Sequence, residues 1–309
     1  MTLLQIQTDP AVNLANEPAY SYKDNSGRVN MIDENKFLEN LYKAIDEHRL
    51  TLPTLPEVAL RVRDAVESET STATKVADMV ATDAALSARL LQVANSPLYR
   101  GRNPIDNLQV AVARLGTRLV RSLVVSLIMQ QIFQSTSDLL DKRFRQVWEE
   151  SVQIAAISRV LAQGLSHLDK EQALLAGLIH NIGALPVLTM AEQSDELLDD
   201  PDELDRVLEL LSPKIGQRIL KDWGFSESLV KVPLHAKDLA YESDGPADYV
   251  DVVIVARLQT LMGQGHTVND MDWGSIPAFS KVGLEPEISF VDIEGVAEDV
   301  AEIEHILIS

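Results

Sequence analysis

The chain has 309 residues, of which 46% are hydrophobic and 24% charged; it contains no cysteine and carries a formal charge of −20. This is the composition of a globular protein with one large core or two modest ones, and it excludes a chain that is disordered throughout. The charge argues against nucleic acid and anionic membranes as partners, since binding a phosphate backbone draws on lysine and arginine that release counterions. Without thiols there is no disulfide, thiolate nucleophile or cysteine-ligated metal, which fits a reducing cytoplasm.

From Met1 to about Asn30 the sequence is polar, holds Pro10, Pro18 and Gly27 and keeps no period, so it reads as an arm. It also lacks the basic start and apolar core of a secretory signal. A first helix is expected from Asp33 to Glu47, with Phe37, Leu38, Leu41 and Ile45 on one stripe. Pro53 and Pro56 then predict an extended break over Thr51–Pro56.

Beyond the break the apolar spacing is helical almost throughout. Asp83 is placed to cap a helix carrying Leu86, Leu90 and Val93, which Pro97 stops. The next helix starts near Asp106, carries Leu108, Val112 and Leu115, and ends at Gly116; Thr117 is placed to cap the apolar helix Arg118–Phe133. Further helices are expected at about Lys142–Ala162, Asp169–His180, Asp202–Leu211, Pro213–Trp223, Ser226–Ala240 and Ala247–Met262. Val252 to Val255 are strand-like residues inside a long apolar pattern without turn signals, and are read as buried helix.

Ala173–Ala191 is about long enough to span a membrane, but His180, Asn181 and Pro186 near its middle favour a buried core helix. Glu192–Glu209 is strongly acidic, either a solvated face or a docking surface for a basic partner. The stretch after Gly263, with Pro277, Pro286 and an amphipathic run Ile293–Ile308, reads as an appended segment.

Two runs, DAALSARLLQVANSPLY over Asp83–Tyr99 and IDNLQVAVARLG over Ile105–Gly116, closely resemble the hallmark of HDOD domains, the HD-related output domains of bacterial signalling proteins. LPTLP upstream (Leu52–Pro56) and GLIHNIG downstream (Gly177–Gly183) extend the resemblance over about 51–265. It implies an all-α fold: an N-terminal helical part at 51–135, then 140–265 derived from the HD metal-dependent phosphohydrolase bundle. Residues 1–50 stand before it as arm and helix, and 266–309 after it as a C-terminal extension. It also implies a role in signal transduction, usually without demonstrated catalysis.

A divalent phosphohydrolase site needs several histidine and carboxylate ligands converging on one or two ions. The resemblance sets the ligand positions in this chain, and most are altered. The central His-Asp pair is His180-Asn181, a neutral amide replacing the anion. Glu150 stands where the first histidine is expected, Ser212 where a later one is, and His235-Ala236 where a double histidine is. The closing aspartate matches Arg257, a reversal of charge. The six histidines form no HxH, HxxxH or HExxH pair. The expectation is no catalytic residue, no metal and no cofactor, with Glu150, His180, Asn181, Ser212, His235 and Arg257 forming a vestigial site or converted pocket.

For His180 the plain alternative is a core histidine satisfied by backbone or by Asn181. For Arg257 it is a guanidinium that snorkels to water or pairs with Glu150. The leading functional expectation is a non-catalytic signalling module for a protein partner or small ligand. One alternative is a metal-dependent phosphohydrolase acting on a nucleotide or cyclic dinucleotide. The other is an inert helical scaffold with an acidic docking face.

Overall fold

The computed structural model describes residues 57–67, 72–134, 140–192, 195–262, 272–286 and 288–308, together with Lys43. The expected arm, most of the helix Asp33–Glu47 and the break Thr51–Pro56 lie outside these residues. Among the described residues there are helices and turns and no strand.

Five helices make the N-terminal part: α1 (Glu57–Glu67), α2 (Ala73–Val80), α3 (Ala84–Ala94), α4 (Leu108–Leu115) and α5 (Thr117–Gln134). Side-chain caps start three of them: Thr72, Asp83 and Asn107 each accept the backbone N–H three residues on. The helix expected to start near Asp106 is α4, capped by Asn107 and beginning at Leu108. Thr117 opens the next helix as its first residue instead of capping it. Gly116, at φ 80°, makes the sharp corner between α4 and α5, a conformation that costs glycine little.

Between α3 and α4 the loop is clamped by Asn95. Its Nδ2 donates to the carbonyls of Leu91 (2.8 Å) and Ile105 (2.7 Å), and its Oδ1 accepts from the Ile105 N–H (2.7 Å). The hallmark asparagine thus satisfies a backbone that the loop would otherwise leave unpaired.

The second part is built on α6 (Asp141–Gln163), whose residues from Ile154 to Ala162 are all buried. It packs against α7 (Lys170–Ile179) and, further on, against α13 (Tyr249–Leu261) and α15 (Val296–Ile308). The approach of α6 and α7 depends on Gly177, where a Cβ would lie 2.5 Å from the Ala155 Cα. Between α7 and α13 run α8 (Ala184–Ala191), α9 (Asp195–Asp199), α10 (Pro201–Asp222), α11 (Glu227–Val230) and α12 (Val232–His235); α14 (Pro277–Val282) precedes α15.

Two expectations are corrected. Asp202–Leu211 and Pro213–Trp223 are one helix, α10, with Pro213 inside it. The buried stripe Leu204, Val207, Leu211, Ile215 and Ile219 continues through the proline, and packing along it outweighs the lost hydrogen bond. The expected helix Ser226–Ala240 is two short pieces that end at His235; Pro233 interrupts the ladder, and residues 236–241 form turns.

Val252 to Val255 are buried helix, and the core is continuous from Ala59 to Leu307. In the apolar stretch Lys170–Ala191, 83% of the most apolar window is buried inside the bundle. The C-terminal α15 buries Val300, Ile303, Ile306 and Leu307. Arg89 of α3 donates to the Ile306 carbonyl and the Leu98 N–H donates to Glu302, so the N-terminal part grips this helix, while α6 of the second part packs against it.

Candidate functional site: a charge-balanced cavity around Arg257

At the end of α7 the chain turns through His180, Asn181, Ile182 and Gly183 into α8. Gly183 permits this because α10 crosses directly over it. A Cβ there would lie 2.0 Å from the Ser212 carbonyl oxygen and 2.5 Å from the Gly216 nitrogen. Ser212 is thereby explained as a packing residue of the crossing, with its hydroxyl buried and without a partner among the described residues.

His180 is only 4% exposed. Its Nδ1 lies 2.6 Å from the Gly177 carbonyl, so Nδ1 carries the proton and donates, while Nε2 is buried without a partner among the described residues. Burial first, and then the Arg257 guanidinium, pull its pKa down to about 3, opposed by the Gly177 hydrogen bond. The imidazole is neutral at physiological pH.

Arg257 projects from α13, on a helix whose other residues from Val250 to Leu258 are buried. Its Nη1 donates to the Ala236 carbonyl at 2.7 Å, a group available because the preceding helix ends at His235. Its Nε is buried without a partner among the described residues. Burial lowers the pKa of Arg257, while Glu150 and Glu209 raise it. The expected pairing with Glu150 acts through space: neither glutamate closes a direct ion pair with Arg257 among the described residues.

These groups share a cavity of about 380 Å³. Glu150, Asn181 and Arg257 line it, so three of the six residues singled out in the sequence are brought together. His180 lies behind them in the core, close enough to feel Arg257. His235 stays outside; its ring meets Tyr241 at 5.0 Å and its Nδ1 lies 3.6 Å from an Asp238 carboxylate oxygen. Sequence reasoning missed Lys237, Glu209, Asp205 and Arg143, all lining the cavity. Two signals were available: Lys237 directly follows the His235-Ala236 pair, and Asp205 and Glu209 belong to the acidic segment.

Arg143 and Asp205 close on each other at 2.7 Å. Burial, and then Arg257, lower the pKa of Lys237, while Glu209, Glu150 and Asp205 oppose the shift. A guanidinium and an ammonium therefore stand among the carboxylates of the cavity. Among the described residues no group of three or more histidine, aspartate or glutamate side chains comes together to hold a metal ion. The donor set does not fit a divalent centre, because Asn181 supplies a neutral amide and Arg257 repels a cation.

Among the described residues the fold is that of an all-α protein. Residues 52–239 match the HDOD domain, and the chain belongs to that family. A solved structure from Shewanella amazonensis SB2B, named as a candidate metal-dependent phosphohydrolase, is similar with 31% identity and a TM-score of 0.74, over 90% of this chain and all of that one. An HDOD domain protein with unknown function from Geobacter sulfurreducens shares the fold at 20% identity and a TM-score of 0.66, over 90% of this chain and all of that one. A protein of Treponema pallidum (strain Nichols), named only as uncharacterized, is 23% identical over 251 residues, 77% of this chain. The chain spans about half of that relative's length, 47%.

Proposed function

We propose that this chain is a non-catalytic signal-transduction module of the HDOD family, working in the cytoplasm and recognising a protein partner or small ligand. The observation that carries this reading is the cavity itself: Arg257, Lys237 and Asn181 line it together, and the resemblance expects anionic ligands at two of these positions, Asn181 and Arg257. A metal-activated water requires an ion held by several anionic or imidazole donors, and a fixed guanidinium in their midst opposes both the ion and its charge. His180, the best remaining donor, is neutral and buried behind the cavity.

A second reading, metal-dependent phosphohydrolysis, is favoured by the name of the Shewanella amazonensis relative at 31% identity. Hydrolysis of bis(p-nitrophenyl) phosphate by the purified chain with added manganese separates the two. The proposed function expects no turnover above buffer. Turnover that disappears in His180→Ala would establish the enzyme reading instead.

A further inference from the structure

The cavity holds four charges that have not closed on one another. With Arg143 and Asp205 paired, Arg257 and Lys237 remain on the positive side and Glu150 and Glu209 on the negative. Each cation feels both glutamates, yet among the described residues none of the four forms a direct ion pair with another. The buried charges Arg159 and Glu171 contrast with them, meeting at 2.8 Å in a pair with several hydrogen bonds. Arg257 also keeps a buried, unpartnered Nε beside the cavity, a donor whose desolvation nothing described offsets.

The charge balance restricts what can enter. A phosphate or other dianion would be drawn by Arg257 and Lys237 but repelled by Glu150 and Glu209. A bare amine would meet the reverse. A molecule bearing one charge of each sign satisfies all four groups at once. Beside the neutral amides of Gln146 and Asn181, the rest of the wall has an apolar side with Leu208, Leu239, Leu258 and Leu261. The volume, about 380 Å³, falls within the roughly 300–1,000 Å³ of small-molecule pockets.

We propose that the cavity binds a small zwitterion, an α-amino acid with an apolar side chain. Its carboxylate lies on Arg257 and Lys237, its ammonium faces Glu150 and Glu209, and its side chain lies along the leucines. This rests on the reading that the site is a recognition pocket and not a metal centre, and it names the ligand class.

The test is calorimetric titration of the intact chain with L-leucine, L-methionine and L-valine. Beside them go 4-methylpentanoate, which lacks the amine of leucine, 3-methylbutylamine, which lacks its carboxylate, and inorganic phosphate. At least one amino acid is expected to bind saturably at one per chain, with each truncated analogue weaker by about tenfold or more, the loss of one charge-assisted contact. Arg257→Met is expected to abolish binding. Glu150→Gln, at an exposed position outside the core, is expected to weaken it by about fivefold or more and serves if the first variant misfolds.

No saturable binding by any of the three amino acids would overturn the proposal. So would 4-methylpentanoate or phosphate binding as tightly as the best amino acid, or wild-type affinity in Glu150→Gln. Manganese-dependent hydrolysis in a parallel assay would instead overturn the non-catalytic reading on which the proposal rests. Absence of both binding and turnover would remove only the ligand assignment.

Discussion

His180 should make the stability of this protein depend on pH in a range where its carboxylates are still ionised. The folded pKa is about 3, below the ordinary histidine value of 6.5, so between the two values the unfolded chain holds a proton that the folded chain refuses. This contribution to stability is complete above pH about 6.5 and is lost as the pH falls towards 3. Each pH unit in that interval costs about 1.4 kcal/mol, so about 2 kcal/mol is lost by pH 5. His180→Asn keeps a donor for the Gly177 carbonyl and removes the titrating ring. Urea unfolding of both proteins at about pH 7 and pH 5 isolates the term, since other groups cancel in the difference. Wild type should lose about 2 kcal/mol more than the variant. Equal losses would refute the buried, neutral imidazole.

Gly183→Ala should lower stability by about 3 kcal/mol or more, read as a fall in the urea midpoint, because its Cβ would press on the Ser212 and Gly216 backbone. Asn95→Ala should cost about 2 kcal/mol in the same assay, by unpairing the Ile105 N–H and the carbonyls of Leu91 and Ile105. Breaking the buried Arg159–Glu171 pair with Arg159→Met should cost about 3–5 kcal/mol in chemical denaturation.

Much of the helical order was legible because its signals are local. Asp83 caps its helix as its position predicts, and Val252 to Val255 lie in buried helix because they continue an apolar pattern. The two prolines show where local rules stop. Pro213 sits inside α10, supported by a buried stripe on both sides, whereas Pro233 sits in the first turn of the second of two one-turn helices, where its missing N–H keeps the ladder from continuing out of the first. Choosing between these outcomes requires the packing that surrounds each proline.

The site divides in the same way. Glu150, Asn181 and Arg257 were identifiable because the resemblance assigns roles to their positions, and all three line the cavity. Lys237 and Glu209 hold no position in the ligand pattern, and they share a cavity with Arg257 only because the fold brings α10 and the turn after α12 to the same opening as α13. Ser212 was singled out for its place in that pattern, but the structure uses it at a helix crossing over Gly183.

On the proposed function, the cavity around Arg257 is a recognition pocket and not a metal centre. The most direct test is calorimetric titration of manganese into the purified chain, with the metal content of the starting sample measured by elemental analysis. Substoichiometric metal and no saturable manganese binding are expected. One ion per chain, released in the His180→Ala variant, would contradict it.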